Sequence, residues 1–110
     1  VGSIGINAKN STDSETRYSY STFSNVGDRV DVVAPGEDIY SSVVSGYSLM
    51  SGTSMAAPMV TGTAAMLYSC DASLSLMDVR NRILQSARPL ESLSGKVATG
   101  GMLDAGAAMP

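Results

Sequence analysis

The chain has 110 residues, 44% of them apolar and 15% charged, with a formal net charge of −3, one Cys, no Trp and no His. That length suits one hydrophobic core, and the apolar fraction rules out wholesale disorder. The missing histidine excludes any His-containing zinc site and any Ser-His or Cys-His pair drawn from these residues alone, and the scattered basic residues give no footprint for nucleic acid.

The chain opens at Val1 without an initiator Met or a signal-like leader, inside the apolar run Val1 to Ile6. This run predicts a buried strand, and its abrupt start predicts a piece of something larger. Asn7 to Ser19 is polar and reads as a surface loop. Its Asn10-Ser11-Thr12 triplet is a glycosylation sequon if the chain is secreted and an ordinary loop triplet otherwise. Tyr20 to Ser24 suggests a short strand and Asn25 to Asp28 a turn, and Val30 to Ala34 a buried strand closed by Pro35-Gly36. Ile39 to Met50 is a β-branched, Ser-rich loop with a turn at Ser45-Gly46.

From Ser54 to Tyr68 the residues are small and apolar on nearly every face, which predicts a central helix buried all round. At roughly 15 residues it falls short of the about 20 needed to span a bilayer. Lone Cys70 follows it; with no second Cys it forms no intrachain disulfide and leaves the redox compartment open. Ser75 is a candidate N-cap with Asp78 three residues on, an approximate capping box. Leu76, Val79, Ile83 and Ala87 recur at steps of three and four, an amphipathic surface helix that Pro89 ends. Gly95 to Gly101 reads as a loop or tight hairpin, and Met102 to Met109 as a short Ala-rich helix. No internal repeat is visible.

Chemistry concentrates in Gly52-Thr53-Ser54-Met55-Ala56-Ala57-Pro58-Met59-Val60-Thr61-Gly62. It sets a serine between a Gly-containing loop and the start of an apolar helix. The first N–H groups of a helix lack intrahelical partners, and the dipole places partial positive charge there. A hydroxyl on that turn is placed to attack a carbonyl while its own N–H faces the oxygen that becomes negative. Gly52 leaves room for a substrate backbone, and Thr53 is suited to cap the helix or to bond near the developing charge. Two plainer roles fit the same residues: a helix cap and an anion site.

The segment resembles the active-site serine motif of the subtilisin-like serine proteases, Gly-Thr-Ser-Met-Ala-x-Pro-His-Val-x-Gly, with Met59 where that family usually has His. Phe23-Ser24-Asn25-Val26-Gly27 with Val30-Asp31-Val32-Val33-Ala34-Pro35-Gly36 is similar to another stretch of the same family, and Gly100-Gly101-Met102-Leu103-Asp104-Ala105 to its closing element. The resemblance implies an α/β fold: this chain as residues 1–110 of the C-terminal portion of a three-layer α/β/α domain with a mostly parallel sheet. It implies Ser54 as nucleophile, with Met55, Gly52, Thr53 and Met50 at the substrate. Met55 would line the leaving-group side and be open to oxidation, which turns an apolar wall polar. The exchange at Met59 is expected to alter helix packing more than chemistry.

The family's order is Asp, His, Ser, with an oxyanion Asn between His and Ser. Those three partners are expected upstream of Val1, on the same chain or another, and Asp31, Asp38 and Tyr47 are poor substitutes for an imidazole tuned near neutral pH. The segment alone is therefore expected to be inert; the alternative is a non-catalytic remnant serving as a folding or interaction module. An incomplete parallel sheet is expected to expose a hydrophobic edge. The implied partners are a protein or peptide substrate, the upstream part of the domain and a propeptide, with no nucleic acid and no membrane span. No metal ligands are expected in this segment, structural Ca²⁺ being reserved for the full domain. Location in the secretory pathway or outside the cell follows from the resemblance alone.

Overall fold

The structure, a computed structural model, describes residues 1–6 and 17–110. The sequon at Asn10 and most of the polar loop lie outside the described residues. A five-stranded sheet has the order β2-β1-β3-β7-β6, with β1 at Gly2–Ile6, β2 at Tyr18–Tyr20, β3 at Val33–Pro35, β6 at Arg88–Pro89 and β7 at Gly101–Met102. The central strands β1, β3 and β7 are parallel, and each edge strand is antiparallel to its neighbour. Two elements shift from their sequence expectation: β2 ends at Tyr20 instead of starting there, and the strand expected at Val30 starts at Val33. Both edge strands are short; β6 carries Arg and Pro, which discourage further pairing, whereas β2 leaves Tyr20 exposed at the other edge.

The pleat sends alternate residues to opposite faces of the sheet. Ile4, Val33 and Met102 meet Leu90, Leu93 and Val97 in one buried cluster, with Tyr18 and Val30 packed against it. Full burial of Leu93 alone contributes roughly 1.5–3 kcal/mol. The segment expected as a loop or tight hairpin at Gly95–Gly101 is a loop up to β7, pinned beside residues 27–31. Gly27 bridges Val97, Ala98 N–H donates to Val30 O at 2.8 Å, and Thr99 Oγ1 donates to Asp31 O at 2.7 Å.

On the other face lie the helices α1 (Thr53–Cys70), α2 (Leu76–Gln85) and α3 (Ala105–Ala108). Leu67, Val79, Ile83 and Ala108 form a second buried cluster between them. The expectation that the central helix is buried all round fails, because β1 and β3 cover only one side of it. Ala56, Thr63 and Leu67 are buried, whereas Met66 is 47% exposed. Helix α2 keeps its expected start: Ser75 Oγ accepts from Asp78 N–H at 3.1 Å, and Asp78 Oδ2 accepts from Ser75 N–H at 2.9 Å. Bonds from the Ser75 hydroxyl and then its N–H hold the Asp78 carboxyl below its ordinary range, and Ser73 does the same for Asp71. The C-terminal helix is shorter than expected, since Met102 pairs in β7 and Asp104 caps a single turn, accepting from Ala107 N–H.

Between β3 and α1 the chain leaves the sheet as a hairpin, β4 (Ile39–Val43) and β5 (Gly46–Met50), where the sequence suggested a loop. Gly46, at φ 140°, takes the left-handed bend at the tip that Val44 and Ser45 do not. The base is tied three ways: Ile39 pairs with Met50, Asp38 N–H donates to Ser51 Oγ at 2.8 Å, and Gly52 N–H donates to Gly36 O at 2.7 Å.

Ser75→Ala is expected to cost about 1 kcal/mol in denaturant unfolding. In the same variant the Asp78 carboxyl moves upward toward its ordinary range by NMR but only part of the way, because the residue-75 N–H still donates to it. Because the Asp78 pKa is depressed in the folded state, its contribution is present above the ordinary carboxylate pKa and is lost as pH falls through the lowered one. A side chain at Gly36 would strike the Ser3 hydroxyl and come within 2.7 Å of Gly52 O. Gly36→Ala should therefore destabilise by about 1–3 kcal/mol. Gly62→Ala, where a Cβ meets open space, should stabilise by up to about 1 kcal/mol.

Candidate active site

Helix α1 starts at Thr53, so Ser54 is its second residue and Gly52 takes the capping position without a side-chain hydrogen bond. Neither Thr53 nor Ser54 acts as a cap. Met55 and Ala56 N–H donate back to Gly52 O at 3.0 and 3.3 Å, while the Thr53 and Ser54 N–H groups donate to no backbone carbonyl. Ser54 is exposed, and among the described residues no hydrogen bond engages its hydroxyl. Serine oxygen and amide hydrogen are thus both free at the positive end of an 18-residue helix. Pro58 sits one turn on and has no N–H to return to the Ser54 carbonyl.

The hairpin forms the facing wall. Its register puts Ile39, Ser41 and Val43 on the same face as Ser48 and Met50. These residues, with Tyr40 and Ser42 between them and Ser54, Met55, Pro58 and Met59 opposite, line a cleft of about 290 Å³. The Tyr40 and Tyr47 rings lie on the other hairpin face with Leu49, exposed and stacked at 5.7 Å between centroids. The cleft wall is apolar and hydroxylic, with no charged side chain among the described residues.

Of the residues singled out in the sequence, Ser54, Met55 and Met50 come together on this cleft. Gly52 and Thr53 are half-buried, and neither is among the lining residues. A Cβ on Gly52 would meet Met55 Sδ at 3.4 Å and Ser54 N at 3.8 Å, ordinary contacts, so the chain's own packing does not require glycine there. Met59, expected to matter for helix packing, lines the cleft as well as an apolar groove shared with Pro35, Met66 and Leu103. Its spacing of four from Met55 was the available signal. No general base stands in the cleft: Asp31 pairs with Arg80 at 3.4 Å, Tyr47 faces outward, and Asp38 sits at the hairpin base. Among the described residues no group of three or more His, Cys, Asp or Glu is arranged to hold a metal, and no helix is long and apolar enough to cross a membrane.

The profile of the subtilase family, Peptidase S8, matches residues 2–104. Subtilisin DY of Bacillus licheniformis is 44% identical over 70 residues, which are 63% of this chain and 26% of that protein. A thermophilic serine proteinase of Bacillus sp. strain AK1 is 49% identical over 67 residues, 60% of this chain and 16% of that protein. A chain from the solved subtilase cytotoxin SubAB assembly superposes with a TM-score of 0.81 at 26% identity, covering 96% of this chain and 34% of the other. The chain therefore spans about a third or less of the length of the relatives it matches. With a family profile along almost its whole length and an α/β fold shared with solved subtilases, the chain belongs to the subtilase family of serine proteases.

Proposed function

We propose that this chain is the nucleophile-bearing part of a serine endopeptidase, with Ser54 as the attacking residue. The observation that carries the reading is the free hydroxyl and free N–H of Ser54 at the start of α1, facing an uncharged cleft. In the reaction, Ser54 Oγ attacks the scissile carbonyl carbon as a histidine of an upstream segment takes its proton. The tetrahedral oxyanion is held by Ser54 N–H and an upstream Asn. The histidine then protonates the departing amine, the C–N bond breaks, and water releases the acyl group. Met55 and Met50 border the leaving-group side, and Gly52 and Thr53 border the substrate backbone.

The upstream Asp, His and Asn, a propeptide, structural calcium in the fuller domain and export from the cell all belong to this proposal. So does inertness of the 110 residues alone, which contain no histidine. In subtilisin itself, the enzyme from which the figure comes, loss of the histidine lowers kcat roughly 10⁶-fold.

A fluorophosphonate probe tests the reading, applied to the chain alone and to the chain joined to an upstream segment carrying Asp, His and Asn. Label on Ser54 in the joined form only, abolished by Ser54→Ala, is the expected result. Absence of label from both forms would make the serine structural and leave a non-catalytic folding or interaction module. Gly52→Ala is expected to hold stability within about 0.5 kcal/mol and to slow labelling of the joined form by roughly ten- to a hundredfold, since its Cβ enters the substrate's path and not the protein's packing.

A further inference from the structure

Three thioethers line one cleft. Met55 and Met59 are one turn apart on α1, and residues four apart share a helix face. Met50 ends β5 on the hairpin face that looks onto them. Met50 is 48% and Met59 36% exposed, and Met55 is half-buried, so all three side chains are reachable from water. Among the described residues no Asp, Glu, Lys or Arg lines the cleft, so none of them competes for an ion there or repels one. Thioether sulfur is a soft, neutral donor that selects Cu(I) over hard ions such as calcium or magnesium. The unbranched methionine side chain, with three rotatable bonds, converges on a common point at little cost.

We infer that Met50, Met55 and Met59 form a binding site for one soft monovalent d¹⁰ cation, Cu(I) in kind, with the Ser54 hydroxyl at its rim. The site requires no proton transfer and does not depend on Ser54 being a nucleophile. Its failure and the failure of the peptidase reading are therefore separate results.

The test uses Ag(I), which has the same charge and closed shell without redox chemistry, titrated as the nitrate into the full chain carrying ¹³C-methyl methionine and Cys70→Ser, since the exposed Cys70 thiol would take silver first. Seven methionines supply internal controls. Met66 and Met77, 47% and 55% exposed, are as accessible as the cleft residues but lie outside the cleft. The methyl signals of Met50, Met55 and Met59 are expected to move together and to saturate at one equivalent while Met66 and Met77 stay in place. Met59→Leu, close to isosteric, is expected to weaken binding roughly tenfold or more through loss of one soft ligand, and Met66→Leu to leave it unchanged. Should Met59→Leu fail to fold by circular dichroism, Met50→Leu on the exposed hairpin carries the same expectation. Parallel shifts of every exposed methionine, or no shift of the cleft signals in excess silver, would overturn the site.

Discussion

The hydrogen bond from Gly52 N–H to Gly36 O governs the geometry of everything around Ser54. Gly36 also donates to Ile4 O in β1, and Gly52 O accepts from the first turn of α1, so sheet, turn and helix are linked through two residues. The link forms only because Gly36 has no side chain: the Ser3 hydroxyl, itself bonded to Ser21 at 2.8 Å in the buried interior, occupies the space a Cβ would need. The fifteen residues between the two glycines leave as a hairpin and return to the same place. Its exit and re-entry are fixed before any side chain of the cleft is considered.

Stability and chemistry occupy different parts of this arrangement. Leu90, Leu93, Val97, Ile4 and Val33 are buried against one face of the sheet, and Leu67, Val79 and Ile83 between the helices, well away from the serine. The hairpin is exposed along β5 and nearly all of β4, and depends on its own ladder and its tied base. Elements with few buried contacts open locally at low free energy while the packed layers stay closed. The cleft therefore has one wall built on a helix seated on the sheet and one that adjusts independently of the core.

Features specified by neighbouring residues are readable without the fold. Ser75, Asp78 and the three- and four-residue recurrence of Val79 and Ile83 define α2, and Ser54 stands out because its motif is contiguous. Features specified by distant residues are not. The hydrogen bonds that tie Thr99 to Asp31 O join positions 68 apart, and nothing in the neighbouring residues of the loop signals them. The hairpin escapes for a different reason: both its faces meet solvent, so Ile39 to Val43 carries no clean inside-outside pattern. Met59 sits on α1 in a run apolar on all sides, where composition does not distinguish a side chain that packs from one that faces a cleft.

Pro58 gives the start of α1 a mechanical property of its own. Ser54 N–H is free because it belongs to the first turn, and Ser54 C=O lacks its usual helical donor because the residue four positions later has no hydrogen to offer. The serine thus sits beside two gaps in the four-residue ladder, while Met55 N–H, in the peptide that follows it, stays bonded to Gly52 O. The helix supplies the field, and the bonds to Gly52 hold the serine in it.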